Sequence, residues 1–117
     1  MDLHVVLGAG PAGRTLARTL VAQGRRVRTV SRSEAAPVAG AEHRAADLTD
    51  ARGAREAIAG AAVVYHAANV PYEQQLDVMP RMQRAVLAAT ADAGARLVVL
   101  DTLYPYGPTS GEPGSIR

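Results

Sequence analysis

Several residue types are missing from this chain. Its 117 residues include no cysteine, tryptophan or phenylalanine, and four tyrosines supply all the aromatic rings. Without cysteine there is no disulfide, no thiolate metal ligand and no cysteine nucleophile, and the core must be built from aliphatic side chains. Lysine is absent as well, since all 13 basic residues are arginine.

Strong charge and long apolar runs are also absent. The formal net charge of +2 is too small to indicate a nucleic-acid partner, and there is no basic stripe with interleaved aromatics. The apolar stretches are interrupted by Arg, Asp or Gly well short of a membrane span, and no signal peptide precedes the first predicted strand. We therefore expect a cytoplasmic protein with no membrane partner and no metal site.

The strongest motif lies at the beginning of the chain. An apolar run, Leu3–Leu7, stops at Gly8, and Gly10 and Gly13 complete G-x-G-x-x-G directly before a helical pattern. Gly8 allows a tight turn, Gly10 lets the backbone approach a pyrophosphate, and Gly13 lets the helix pack closely on the strand. The alternative is a purely structural glycine turn. The residues that we expect to contact the cofactor phosphates are Gly8, Gly10, Pro11, Ala12 and Gly13.

Apolar strand patterns alternate with helical patterns along the rest of the chain. The strands predicted after the first are 26–31, 42–46, 62–66 and 96–101. The predicted helices are 14–23, about 50–59, and one from near Val78 to Gly94 with an apolar stripe of Met82, Val86, Leu87 and Ala89. This alternation predicts a Rossmann-type three-layer α/β/α fold with a parallel sheet of order 3-2-1-4-5, truncated after the fifth strand. We expect residues 1–107 to form the domain and 108–117 a flexible tail.

The end of the second strand indicates which nucleotide is bound. Dinucleotide-binding folds carry an acid there, about twenty positions after the glycines, whereas this chain has Ser31-Arg32-Ser33. An arginine pairs with a 2′-phosphate, so Arg32 favours NADP over NAD, and Arg14 would add to the same positive charge. The alternative is a solvated loop arginine. The glycine motif also opens many FAD-binding domains, but their second strand usually ends in Glu, which is missing here.

Four motifs together resemble the short-chain dehydrogenase/reductase superfamily, in particular its NAD-dependent epimerase/dehydratase branch and related atypical members. The motifs are the glycine turn at 8–13, Asp47-Leu48 after the third strand, His66-Ala67-Ala68-Asn69 after the fourth and 101–108 (DTLYPYGP) after the fifth. They span nearly the whole chain in the family's order. The resemblance implies binding of a nicotinamide dinucleotide and oxidoreductase chemistry.

The resemblance also implies roles for single residues. Asp47 is expected to bond the adenine amino group with Leu48 against the ring; the alternatives are a helix N-cap and a core leucine. Thr102 is expected to hydrogen-bond the substrate, and His66 to be a hydrogen-bonded residue at a strand end rather than a catalyst. The residues expected along the nicotinamide ribose are Ala67, Ala68 and Asn69.

The family's proton-transfer pair has no counterpart in this chain. That pair is a Tyr with a Lys four residues later, whereas the residues four positions after the tyrosines are Asn69, Leu76, Pro108 and Ser110. We expect the motif and the substrate region to lie beyond Arg117, and the chain alone to be inactive. It then represents the cofactor half of an enzyme; the alternatives are a non-catalytic cofactor sensor or interaction module, and a fragment with no working site.

A sheet that ends at its fifth strand leaves an edge and apolar surface uncovered. We therefore expect a homo-oligomer, formed through the helix at about 78–93.

Overall fold

The computed structural model describes residues 2–8, 10–32, 38–67 and 78–99. In this part of the chain the strands are β1 (Leu3–Leu7), β2 (Arg26–Ser31), β3 (Glu42–Ala45), β4 (Ala61–His66) and β5 (Arg96–Val99), and the helices are α1 (Pro11–Ala22), α2 (Ala51–Ile58) and α3 (Val78–Ala93). All neighbouring strands are parallel, in the order β3-β2-β1-β4-β5. The predicted fold class and strand order are therefore confirmed.

Most element boundaries differ from the prediction by a few residues. Helix α1 begins at Pro11 rather than Arg14, because the fixed φ of proline suits the first helical position. Asp50 lies outside α2 as its N-cap, where its side chain accepts a hydrogen bond from the Gly53 amide at 3.0 Å. Residues 100 and 101 of the predicted fifth strand and the predicted tail at 108–117 lie outside the described residues.

The sheet separates two groups of helices. Alternation along β1 directs Leu3, Val5 and Leu7 to the face covered by α2 and α3, and His4 and Val6 to the face covered by α1; we call these the α2/α3 face and the α1 face. The buried cluster on the α2/α3 face consists of Leu3, Val5, Leu7, Val30, Leu48, Ala54, Ala57, Ile58, Ala61, Val64, Met82, Ala85, Val86 and Ala89. The smaller cluster on the α1 face consists of Val6, Ala17, Leu20, Val27 and Val38.

Helix α3 packs on the sheet through three of the four residues of its predicted apolar stripe. Met82, Val86 and Ala89 are buried, but the prediction for Leu87 is wrong, since this side chain is 55% exposed. Ala85 is buried instead of Leu87. It lies three residues after Met82 and four before Ala89, so it shares their helix face, whereas Leu87 directly follows Val86 and lies on a different face. No helix in the described ranges is both long enough and apolar enough to cross a bilayer.

Arg28 joins β2 to the end of α2. The residue is 9% exposed, and its Nη1 donates hydrogen bonds to the carbonyl oxygens of Ala57 at 2.9 Å and Ala59 at 3.1 Å. Its Nε pairs with Glu42 Oε2 at 3.0 Å. The buried guanidinium therefore satisfies carbonyl groups that the helix leaves unpaired at its end.

Candidate functional site

The carboxyl ends of three neighbouring strands are held together by main-chain hydrogen bonds. The Gly8 amide donates to the Val30 carbonyl at 2.8 Å, and the Ala67 amide donates to the Leu7 carbonyl at 2.9 Å. Because β1 lies between β2 and β4, the chain leaves this point in opposite directions, and such a switch point forms the binding crevice of open α/β sheets. The glycine turn and Ala67 both lie at this crevice.

The glycines of the turn serve different physical purposes. Gly8 has a φ of 119°, a left-handed conformation that favours glycine. A Cβ on Gly13 would lie 2.6 Å from the carbonyl oxygen of Gly8, so the close contact of helix and strand requires glycine there, as expected from the sequence. A Cβ on Gly10 would meet no atom within 4 Å, so the space beside Gly10 is open to a ligand.

The first turn of α1 suits an anion. Its N-cap, Gly10, makes no side-chain cap, and the turn contains no acidic residue. The Arg14 amide bonds the Gly10 carbonyl at 3.0 Å, whereas the amides before it have no acceptor within the helix. Pro11 and Ala12 are exposed and Arg14 is half-exposed at this end. These amides and the helix dipole fit a pyrophosphate group.

Asp47 lies in a positively charged part of the same edge. Its Oδ1 accepts hydrogen bonds from the Thr49 amide at 2.9 Å and from Thr49 Oγ1 at 2.6 Å. These two bonds hold the pKa of Asp47 below its ordinary value, and the charges of Arg32 and Arg81 lower this pKa further. Arg32 and Arg81 are both exposed, and their positive charges both act on Asp47.

Sequence reasoning missed Arg81, because α3 is distant from β2 along the chain and only the fold brings them to one edge. The N-cap alternative for Asp47 is wrong, since Asp50 caps α2. Leu48 is 4% exposed and belongs to the core of the α2/α3 face, which agrees with the alternative prediction of a core leucine. The contacts of Asp47 and Leu48 with adenine stay predictions.

The structure covers only part of the predicted ribose and substrate segment. Ala67 is half-buried at the end of β4. Ala68, Asn69 and Thr102 lie outside the described residues, so their proposed roles stay predictions.

His66 differs from the prediction of a hydrogen-bonded strand-end residue. It is 6% exposed, and neither ring nitrogen has a hydrogen-bond partner in the part of the chain that the structure describes. Its neighbours in the sheet are Leu7 and Val99. Burial lowers the pKa of His66, so the ring is held in its neutral form.

Comparisons with known proteins agree with this geometry. A model of the NAD dependent epimerase/dehydratase family matches residues 4–116. A mutant uronate dehydrogenase from Agrobacterium tumefaciens, solved in complex with NAD, is 25% identical with a TM-score of 0.74 over 85% of this chain. A short-chain dehydrogenase/reductase superfamily protein from the same organism, solved with bound NAD, is 29% identical with a TM-score of 0.71 over 84% of this chain.

A structure described as a putative exported protein from Burkholderia pseudomallei is 30% identical, with a TM-score of 0.68 over 85% of this chain. The chain spans 40% of the uronate dehydrogenase, 32% of the superfamily protein and 47% of the Burkholderia protein. No curated protein matches the chain.

Proposed function

Because the chain belongs to the NAD dependent epimerase/dehydratase family, we propose that it binds a nicotinamide dinucleotide and prefers NADP to NAD. In this proposal it supplies the cofactor half of an oxidoreductase. The observation that carries the proposal is the uncapped first turn of α1, which lies at the switch point with open space beside Gly10. The two NAD-bound structures similar to this chain support the binding of a nicotinamide dinucleotide.

Each part of the crevice has one task in this proposal. The amides at the start of α1 bind the pyrophosphate, and Ala67 leaves room for the nicotinamide ribose. Asp47 lies on the adenosine side, beside Arg32. When bound, the nicotinamide ring would donate or accept a hydride.

The preference for NADP rests on Arg32. The residue directly follows β2 and is exposed, and Ser31 stands where a carboxylate would repel a 2′-phosphate. A guanidinium forms charge-assisted hydrogen bonds with phosphate oxygens. The effect of its charge on Asp47 supports a position on the adenosine side of the crevice.

A Gly10→Val variant tests binding at the turn. The backbone of Gly10 is extended, with φ −75° and ψ 179°, and valine adopts this conformation without strain. The variant should therefore fold normally, yet its side chain fills the space that the pyrophosphate needs. We expect calorimetric titration with NADPH to show at least about a hundredfold weaker binding, a loss equivalent to about two charge-assisted hydrogen bonds.

The matched control is Ala59→Val. Ala59 is an exposed residue between α2 and the start of β4, so it lies at the amino ends of the strands, away from the crevice. It should bind NADPH like the wild type. Tight binding by the folded Gly10→Val variant would show that the nucleotide does not lie on this turn.

An Arg32→Gln variant tests the choice of nucleotide. Loss of the contact with the 2′-phosphate should weaken the binding of NADPH by about 10- to 100-fold and leave the binding of NADH nearly unchanged. The control is Arg26→Gln, an exposed arginine at the other end of β2. Equal losses of affinity for NADPH and NADH would show that Arg32 does not contact the 2′-phosphate.

A second candidate function is cofactor sensing without catalysis. Residues 1–117 contain no lysine, so these residues alone do not form the family's Tyr–Lys proton-transfer pair. Binding of NADPH without turnover of carbonyl or secondary-alcohol substrates by this chain supports the sensor and the cofactor half equally. Turnover would contradict both, because it requires a different proton donor.

We also propose that the chain self-associates through α3. Leu87, on this helix, is 55% exposed, and burying such a side chain against a second copy is favourable. Light scattering should show a dimer or larger oligomer that a Leu87→Glu variant converts to monomer. A wild-type monomer at high concentration would contradict this.

A further inference from the structure

Strands β2 and β3 end beside each other at the crevice. The Ala46 amide donates a hydrogen bond to the Ser31 carbonyl at 2.8 Å, which holds the two chain segments together one residue past β3. Arg32 directly follows Ser31, and Asp47 directly follows Ala46. A guanidinium and a carboxylate therefore leave the sheet at neighbouring points of its edge.

Helix α3 brings a second guanidinium to this place. Leu48, which follows Asp47, and Met82, which lies near the start of α3, belong to the same buried cluster. Arg81 directly precedes Met82 and is exposed, so its charge lies at the surface beside the segment that carries Asp47. The charges of Arg32 and Arg81 both lower the pKa of Asp47, which agrees with this arrangement.

The other acids in the described parts of β2, β3, α2 and α3 are compensated elsewhere. The ion pairs on these elements are Arg28–Glu42, Arg52–Glu56 and Arg55–Asp92. Asp50 caps the first turn of α2, where the helix dipole offsets its charge. Among the described residues of this edge, Asp47 is therefore the acid that opposes Arg32 and Arg81.

A carboxylate beside Arg32 works against a 2′-phosphate. A phosphate monoester carries close to two negative charges at neutral pH, so Asp47 repels it and offsets the attraction of Arg32. A second guanidinium restores the surplus of positive charge. A 2′-hydroxyl is uncharged, so the balance of charges has little effect on it.

From this geometry we infer that Arg81 is a specificity-determining residue: with Arg32 it keeps the adenosine side of the crevice positive despite Asp47, and this favours a 2′-phosphate over a 2′-hydroxyl. The inference rests on the proposed binding of a nicotinamide dinucleotide. Dinucleotide-binding folds make this choice at the end of the second strand. In this chain α3 contributes to it as well.

The test compares dissociation constants for NADPH and NADH in the wild type and in Arg81→Gln, measured by calorimetric titration at about 0.1 M salt, where charges act over about 10 Å. The ratio of the NADH to the NADPH constant should fall about threefold, as expected for the loss of one solvent-exposed charge. Arg81→Lys keeps the charge and should keep the wild-type ratio. At about 1 M salt the effect of Arg81→Gln should nearly disappear, because charges then act over only about 3 Å.

The matched control is Arg96→Gln. Arg96 is an exposed arginine at the start of β5, so it lies at the amino ends of the strands, away from the crevice. Its removal changes the net charge by the same amount as Arg81→Gln and should leave the ratio unchanged. An equal fall of the ratio in both variants would show that the total charge of the protein sets the preference, and would overturn the inference.

Asp47→Asn gives a second test, in which the charge balance changes in the opposite direction. The ratio should rise in this variant, and the double variant with Arg81→Gln should return to about the wild-type ratio. Any contact of this side chain with adenine is common to both nucleotides and cancels in the ratio.

An unchanged ratio in Arg81→Gln at about 0.1 M salt, with both nucleotides still bound, would overturn the inference and leave the proposed binding of a nicotinamide dinucleotide intact. A double variant whose ratio stays as low as that of Arg81→Gln would overturn it as well. Failure of the folded wild type to bind either nucleotide would overturn both the inference and the proposed function.

Discussion

Among the residues that the structure describes, the α2/α3 face buries 14 in one apolar cluster, whereas the cluster on the α1 face contains five. Polar pairs accompany the smaller cluster: His4 Nδ1 lies 2.9 Å from Tyr65 Oη, and His43 contacts two hydroxyl groups. The α2/α3 face contains most of the apolar burial and therefore most of the stability. The α1 face gives up some of that burial and holds hydrogen bonds close to the proposed ribose position.

Matched leucine truncations on the two faces test this difference most strongly. Leu7 is fully buried on the α2/α3 face, and Leu20 is 6% exposed on the α1 face. Leu7→Ala should lower the free energy of unfolding by about 4 kcal/mol and Leu20→Ala by about 2.5 kcal/mol, because the cavity in the larger cluster relaxes less. Urea unfolding followed by circular dichroism measures both. A larger loss of unfolding free energy for Leu20→Ala than for Leu7→Ala would show that the α1 face contributes more to stability than the α2/α3 face.

Removing the buried guanidinium of Arg28 has the next largest effect. Arg28→Met keeps the aliphatic part of the side chain but leaves the carbonyls of Ala57 and Ala59 without their donor. We expect unfolding to become easier by about 1–3 kcal/mol. Arg52→Met, which breaks an exposed ion pair with Glu56, should change little. If both variants have the same free energy of unfolding, the hydrogen bonds of Arg28 between β2 and α2 contribute no more to stability than an exposed ion pair does.

The buried ring of His66 makes the α2/α3 face sensitive to acid. Its pKa is lowered in the folded chain by burial, so the unfolded chain binds more protons once the pH falls below the ordinary value of 6.5. Stability is therefore full above this pH and is lost as the pH falls towards the lower folded pKa. His66→Leu should reduce the slope of stability against pH, measured by urea unfolding at several pH values. An unchanged slope would mean that other groups cause the acid sensitivity.

The smallest effect is expected at the His4–Tyr65 pair of the α1 face. Tyr65→Phe keeps the stacked rings, whose centroids are 5.8 Å apart, and removes the hydroxyl that bonds His4. The loss should be about 0.5–1 kcal/mol, because Tyr65 is only half-buried and water replaces part of the bond. Thermal unfolding at neutral pH measures it. A loss as large as that of Leu20→Ala would show that polar contacts carry the stability of this face.

Features that depend on local chemistry were predictable from the sequence. The spacing of Gly8, Gly10 and Gly13 predicts the turn between β1 and α1, because Gly8 takes a left-handed backbone conformation, Gly13 permits the close contact of helix and strand, and Gly10 leaves space for a ligand. The alternation of strand and helix patterns gives the strand order through the handedness of parallel connections. These rules need no knowledge of distant contacts.

Features that depend on the packing of distant elements were not predictable. Arg81 comes near Asp47 only because α3 packs against the sheet, and Leu87 loses its place in the core to Ala85 because of the rotation of the same helix. His43 meets Thr29 through the register of β2 and β3, which the sequence pattern leaves open. Among the described residues His66 has no hydrogen-bond partner, because its neighbours in the sheet, Leu7 and Val99, are apolar.

The hydrogen bonds that hold Gly8 and Ala67 join main-chain atoms only. Side chains beside the turn are therefore free to drift in evolution without moving it, as long as the glycines stay. The similar backbone of the uronate dehydrogenase, at 25% identity, agrees with this. It also makes residues 3–13 a suitable segment for transplantation: a chimera that carries the corresponding segment of a relative should keep its main-chain geometry.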